Sequence, residues 1–262
     1  MTRIAVTSRG ARLSMRIDGA ADRPPLLLSN SLAADLTMWD DQIDLLTRTH
    51  RVIRYDTRGH GQSDAPAGAY DFPTLVDDMR AVLDAAGAQR ADVLGLSLGG
   101  MTALGLGLAH PDRVGRMLVC DARADAPPPF VQGWDDRIAI VRDSGTAGLV
   151  EGTLARWFTP AAPQAPRDRA AAMIRATPAD GYVGCAEALK TLDYLRHLPS
   201  IRVPVLYLVG AEDMGAPPAA MEAMAAATPG GRLVTLPGLA HVPNMEDPAA
   251  FNEAIADWLA GR

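Results

Sequence analysis

A serine set between glycines, a histidine near the end of the chain and a carboxylate between them are the residues of this sequence best spaced for chemistry, and the chemistry they suit is acyl transfer. Ser97 lies in Gly95-Leu96-Ser97-Leu98-Gly99, a G-x-S-x-G pattern. Such a serine works as a nucleophile when a strand runs into it and a helix leaves it, because the sharp turn lifts the hydroxyl to the start of the helix. Residues 91–96 read as a buried strand, and residues 98–110 read as a helix ended by Pro111. A glycine-rich turn whose serine only caps a helix is the ordinary alternative, and the strand-turn-helix context argues for the nucleophile.

A free serine hydroxyl is a weak nucleophile and needs a base, which in turn needs an orienting acid. With this motif the order along the chain is serine, acid, histidine. His241, in Pro237-Gly238-Leu239-Ala240-His241, follows the last expected strand and precedes a C-terminal helix. His50 precedes a strand, His60 precedes Ser97, His110 ends a helix at Pro111, and His197 lies near the end of an expected helical insertion. Asp213, in Gly210-Ala211-Glu212-Asp213, follows an apolar strand and ranks first as the acid. Asp121, directly after the strand ending at Cys120, ranks second, and Glu212 is one residue from the preferred carboxylate. A turn or helix cap is the ordinary use of either aspartate. Two backbone amides must hold the oxyanion, one just after the nucleophile and one after an earlier strand. Leu98 and Leu32, the latter in Ser29-Asn30-Ser31-Leu32-Ala33, are the candidates.

The elements that must position these residues follow from the apolar pattern. Strands are expected at residues 13–17, 25–29, 51–55, 91–96, 116–120, 204–209 and 232–236, with helices at 39–47, 73–86, 98–110, 217–227 and 248–260. Strands alternating with helices imply an α/β class with a mostly parallel central sheet covered by helices on both faces. The alternation stops between residues 122 and 198, where Pro127-Pro128-Pro129 opens a stretch with helical patterns at 134–142, 148–157, 167–175 and 181–195. The expected organisation is therefore a core of residues 1–121 and 199–262 carrying a helical lid of residues 122–198. That insertion would sit over the carboxyl ends of the strands, where open α/β sheets bind ligands.

Composition narrows the function further. The net charge is −6 and the basic residues form no stripe, so no nucleic-acid partner is expected and a small-molecule substrate fits better. The first twelve residues lack an apolar signal core, which makes the cytoplasm the default compartment. Residues 93–109 carry no charge, but five glycines interrupt them, and a strand followed by a helix explains the stretch better than a membrane span. Cys120 and Cys185 read as ordinary buried thiols, with no metal-binding spacing.

Beyond the triad, the sequence resembles the 3-oxoadipate enol-lactonases, a family of α/β-hydrolases. The resemblance runs over nearly the whole chain: Leu28-Ser29-Asn30-Ser31-Leu32 with Met38-Trp39-Asp40, Arg54-Tyr55-Asp56-Thr57-Arg58-Gly59-His60-Gly61 with Ser63, and Gly95-Leu96-Ser97 with Gly99-Gly100-Met101. Arg156-Trp157-Phe158-Thr159-Pro160 and Gly181-Tyr182-Val183-Gly184-Cys185 continue it within the expected lid. The resemblance implies the α/β-hydrolase fold and the opening of a carboxylate-bearing enol lactone without metal or organic cofactor. A free carboxylate wants a fixed cation in an otherwise apolar pocket. Trp134 and Arg137, three residues apart on one helix face, are the candidate wall and anchor; the alternative is a tryptophan packed on the core with the arginine in solvent. The Asp56–Gly61 segment is expected to form a braced turn. A carboxylesterase, a hydrolase of another lactone, an enzyme with a cofactor-free haloperoxidase or perhydrolase side activity, and a non-catalytic receptor on the same fold are the competing readings.

Overall fold

A computed structural model describes residues 3–261; residues 1–2 and 262, at the outer ends of the two expected core segments, lie outside the described residues. Among the described residues, eight strands form one sheet: β1 (Ile4–Ser8), β2 (Ala11–Asp18), β3 (Pro25–Ser29), β4 (Arg51–Tyr55), β5 (Ala91–Leu96), β6 (Val114–Cys120), β7 (Val205–Gly210) and β8 (Arg232–Leu236). Their order is β1-β2-β4-β3-β5-β6-β7-β8. The β1–β2 and β2–β4 pairings are antiparallel, and every pairing from β4 to β8 is parallel. All six residues of β7 are buried, which requires cover on both faces and explains why such strands read as unbroken apolar runs.

The helices are α1 (Ile43–Leu46), α2 (Phe72–Ala85), α3 (Leu98–Ala109), α4 (Pro128–Ser144), α5 (Val150–Trp157), α6 (Gln164–Ala176), α7 (Ala179–Lys190), α8 (Pro218–Ala227), α9 (Pro243–Glu246) and α10 (Pro248–Leu259). The long uncharged stretch resolves into β5 and α3, and no helix among the described residues is long and apolar enough to cross a membrane. Between β6 and β7 the described residues form helices joined by turns and irregular loops, with no strand beyond an isolated bridge between Asp125 and Asp193. That bridge pins together the two chain strands that leave and re-enter the sheet region.

Three local expectations change. β1 is an additional strand, joined to β2 through the Arg9–Gly10 turn. The helix expected at residues 39–47 is a 3₁₀ turn over Leu36–Gln42 followed by the four-residue α1; Asp35 caps it by accepting the Thr37 amide at 2.8 Å. The last helix before β7 stops at Lys190, and Leu195–Ser200 forms a 3₁₀ turn that contains Pro199.

The Asp56–Gly61 turn is braced as expected. Asp56 accepts the Leu36 and Gln62 amides, both at 2.9 Å. Arg58 pairs in bidentate fashion with Asp78 of α2, at 2.5 and 2.6 Å, with both side chains buried. A buried fork of this kind fixes geometry, because neither charge can leave without stranding the other.

The parallel register brings the chemistry to one edge. Ser29 lies opposite Gly95, Leu96 opposite Cys120, and Cys120 opposite Leu208. The residues that follow β3, β5, β6 and β7 therefore emerge side by side. The chain leaves β3 for β4 on one side and returns as β5 on the other, which makes β3 and β5 the point where strand order reverses and where such sheets open a crevice.

Candidate active site

Ser97 sits at the junction of β5 and α3 with φ 55° and ψ −118°. Two hydrogen bonds hold this strained turn: the Ser97 amide donates to Cys120 O at 2.8 Å, and Ser97 O accepts from the Met101 amide at 2.9 Å. The flanking glycines are required by space. A Cβ on Gly95 would lie 2.3 Å from Gly99 O, and one on Gly99 would lie 2.2 Å from Ser29 O. Backbone thus passes backbone where any side chain would collide.

Four described non-glycine residues have positive φ, namely Arg9, Ala33, Ser97 and Asp121. The last three line one cavity of about 330 Å³. Strain of this kind costs on the order of 1–3 kcal/mol per residue and persists where the surroundings over-determine it, as at functional sites. Leu32, Trp134, Arg137, Arg156 and His241 line the same cavity.

His241 follows β8, and its Nδ1 lies 2.7 Å from Asp213 Oδ2. The other carboxylate oxygen of Asp213 accepts the amides of Gly215 at 2.7 Å and Ala216 at 3.2 Å. Burial works against ionisation of Asp213, but the His241 charge, its hydrogen bond and the two amides outweigh it and hold the carboxyl below its ordinary range. Glu212 next to it is exposed. The loop is held from behind by Glu246, which accepts the Ala240 amide at 2.9 Å with one oxygen and the Thr159 amide at 2.8 Å with the other.

Asp121 stands close by. An oxygen of Asp121, one of Asp213 and a ring nitrogen of His241 all lie within 4.8 Å of one another. Asp121 Oδ1 accepts the Gly210 amide at 2.9 Å, while the fully buried Oδ2 has no hydrogen-bond partner among the described residues. Burial, and then the charge of Asp213, push its carboxyl well above the ordinary range. The two aspartates thus divide by environment: Asp213 holds the imidazole, and Asp121 favours its neutral form.

The Leu32 and Leu98 amides have no acceptor among the described residues. Leu98 is the first residue of α3, so its amide has no acceptor in a preceding turn. On either side of Leu32, the Ser31 amide meets Met38 Sδ at 3.4 Å and the Ala33 amide meets His60 Nε2 at 2.9 Å. The Leu32 amide makes no hydrogen bond among the described residues.

The far wall comes from α4, α5 and α7. Trp134 stacks edge-on against Phe130 and contacts Tyr182, and the Arg137 guanidinium carbon lies 4.5 Å from the Trp134 ring centroid. Arg156 lines the cavity beside them. Its guanidinium donates to Thr153 Oγ1 at 3.2 Å. Burial, and then repulsion from Arg137, lower its pKa to about 10. Among the described residues neither Arg137 nor Arg156 has a carboxylate within ion-pair distance, although Arg123 on the same wall pairs with Asp125. A signal for Arg156 was present in Arg156-Trp157-Phe158-Thr159-Pro160, but the pairing with Arg137 joins two helices and is not a spacing that one segment can reveal. His50, His110 and His197 lie away from the cavity, and Glu246 and His60 enter as bracing groups.

Comparison with known proteins places this geometry. A family model described as the alpha/beta hydrolase fold matches residues 24–248. The chain is 34% identical to 3-oxoadipate enol-lactonase 2 of Acinetobacter baylyi over 254 residues, covering 95% of this chain and 94% of that protein. Among solved structures, the enol-lactonase from Burkholderia xenovorans superposes with a TM-score of 0.94 at 35% identity, covering 98% of this chain and 100% of that one. A hydrolase from Pseudomonas aeruginosa superposes with a TM-score of 0.92 at 39% identity, covering 100% and 98%. Likeness at this level over whole chains extends past the sheet to the helical wall of the cavity, and the chain belongs to the 3-oxoadipate enol-lactonase family of α/β-hydrolases.

Proposed function

We propose that the protein opens a small carboxylate-bearing lactone, 3-oxoadipate enol-lactone to 3-oxoadipate, through an acyl-enzyme on Ser97. His241 takes the serine proton as the hydroxyl attacks the lactone carbonyl, and Asp213 holds the imidazole in the required tautomer and stabilises its charged form. The Leu32 and Leu98 amides hold the tetrahedral oxyanion, with the α3 dipole behind it. Collapse of that intermediate breaks the ring ester bond, and His241 protonates the departing enol oxygen. Because the ester is cyclic, the leaving group stays on the acyl-enzyme. Water, deprotonated by His241, then attacks the same carbonyl and frees Ser97. The scheme uses no metal or organic cofactor. Residues 122–198 serve as a lid that supplies the wall of the cavity facing the nucleophile.

The observation that carries the substrate class is the pair Arg137 and Arg156, which line the cavity with Ser97 and, among the described residues, lack a carboxylate within ion-pair distance. A simple ester needs no such charge, whereas a substrate carboxylate would supply the missing partner. Arg137→Gln and Arg156→Gln are each expected to raise KM for the carboxylate-bearing lactone by about 10- to 100-fold, the range for losing a hydrogen bond to a charged group. Hydrolysis of an uncharged aryl lactone should change by less than about threefold on the same scale. Equal losses on both substrates in steady-state kinetics would remove the arginines from carboxylate recognition and favour the carboxylesterase reading.

A further inference from the structure

His60 is a buried titratable group that the reaction scheme leaves without a task. Its side chain is fully enclosed in the turn after β4, and both ring nitrogens are engaged. Nδ1 lies 3.1 Å from Arg58 O, and Nε2 lies 2.9 Å from the Ala33 amide nitrogen. A carbonyl only accepts and an amide only donates, so Nδ1 carries the proton and the Nε2 lone pair faces Ala33. Burial lowers the His60 pKa to about 4, which keeps this neutral tautomer in place at neutral pH.

The residue it holds is itself strained. Ala33 has φ 64°, a left-handed conformation that a residue with a Cβ adopts only when its surroundings impose it. Deeper in the same loop, Asn30 donates to Tyr55 O at 2.8 Å and accepts from the Trp39 indole at 3.0 Å. The loop is therefore tied down on both sides of Leu32. Ser31, Leu32 and Ala33 all line the cavity, and with the Ser31 and Ala33 amides drawn toward Met38 and His60, the amide left over is that of Leu32.

We propose that His60 is a positioning residue for the oxyanion site: its Nε2 lone pair holds the Ala33 amide and thereby aims the Leu32 amide at the oxygen that becomes negative. This rests on the serine-hydrolase reading above. His60 itself exchanges no proton with substrate. It acts through one hydrogen bond on a strained turn, and it contributes in the transition state more than in the ground state, because a carbonyl oxygen gains most of its charge on the way to the tetrahedral species.

Two substitutions separate the ring nitrogens. His60→Asn places an amide nitrogen near the Nδ1 position and can keep the bond to Arg58 O, but it offers nothing to Ala33. His60→Gln reaches further and sets an oxygen acceptor near the Nε2 position. On p-nitrophenyl acetate, His60→Asn is expected to lower kcat by about 10- to 100-fold, the cost of misplacing a catalytic group by a fraction of an ångström to an ångström. KM should stay within about threefold, and binding of a boronic acid that forms a tetrahedral serine adduct should weaken in step with kcat. His60→Gln should recover most of both. Thermal melting of the two variants checks that each is folded. Folded His60→Asn enzyme with wild-type kcat and boronate affinity would overturn the proposal, as would folded His60→Gln enzyme as impaired as the asparagine variant. If His60→Asn does not fold, His60→Gln alone decides: kcat within about threefold of wild type supports the acceptor role, and a larger loss with intact melting refutes it. Absence of Ser97-dependent turnover in the wild type would overturn the hydrolase reading and this proposal together, whereas an active wild type with indifferent variants overturns this proposal alone.

Discussion

Replacing His241 by glutamine is expected to lower kcat by about 10⁵- to 10⁶-fold on any ester or lactone the enzyme cleaves, the scale on which a serine hydrolase loses its base. Glutamine keeps a polar side chain of similar reach but cannot take the Ser97 proton or return it to the departing oxygen. The loss should appear in kcat with little change in KM, because the wall proposed to face substrate comes from Trp134, Arg137 and Arg156, none of which hydrogen-bonds His241 among the described residues. The protein should remain folded. Asp213 keeps the amides of Gly215 and Ala216, and Glu246 keeps the loop through Ala240. Steady-state kinetics with a melting curve tests this, and a folded variant retaining a tenth of wild-type kcat would remove His241 from proton transfer.

The second large effect separates the two aspartates. Asp213→Asn is expected to cost about 10⁴-fold in kcat, because an amide that donates to Nδ1 imposes the wrong imidazole tautomer. Asp121→Asn should cost less than about tenfold, since Asp121 favours its neutral form and asparagine resembles a protonated aspartate in shape. The pH dependence of stability has opposite sign at the two sites. The depressed carboxyl of Asp213 contributes stability above the ordinary aspartate pKa of about 4, which is lost as pH falls. The raised carboxyl of Asp121 makes the native state bind an extra proton between the ordinary and the raised value, so its contribution falls as pH rises through that window. The melting temperature of Asp121→Asn should therefore gain on wild type as pH is raised above about 4. A 10⁴-fold loss in Asp121→Asn with a small one in Asp213→Asn would exchange their roles.

This pair also shows how far the sequence alone reaches. Ser97 is legible because its turn, glycines, strand and helix lie within one short stretch whose period changes from strand to helix at the serine. His241 and Asp213 are legible through chain order and strand ends, since parallel strands place every following loop at the same edge. That logic also admits Asp121, and only the 2.7 Å contact between Asp213 and His241 distinguishes the two. The core strands were readable because they are buried on both faces. β1 was missed because it is a short edge strand whose Ile4 is 41% exposed, so its apolar content marks no core. Arg156, Glu246 and the link from His60 to Ala33 depend on contacts between segments 19 to 87 residues apart, and single-segment patterns carry no information about such contacts. Trp134 and Arg137 both line the cavity, and the tryptophan also packs on Phe130 and Tyr182.

The most direct test is hydrolysis of freshly generated 3-oxoadipate enol-lactone by wild type and by Ser97→Ala, with p-nitrophenyl acetate measured in parallel. Lactone opening that exceeds ester cleavage in kcat/KM by about 100-fold or more, and that disappears in folded Ser97→Ala enzyme, is the expected result. Ser97-dependent ester cleavage without lactone opening would contradict the proposed substrate, and lactone opening that survives Ser97→Ala would contradict the acyl-enzyme.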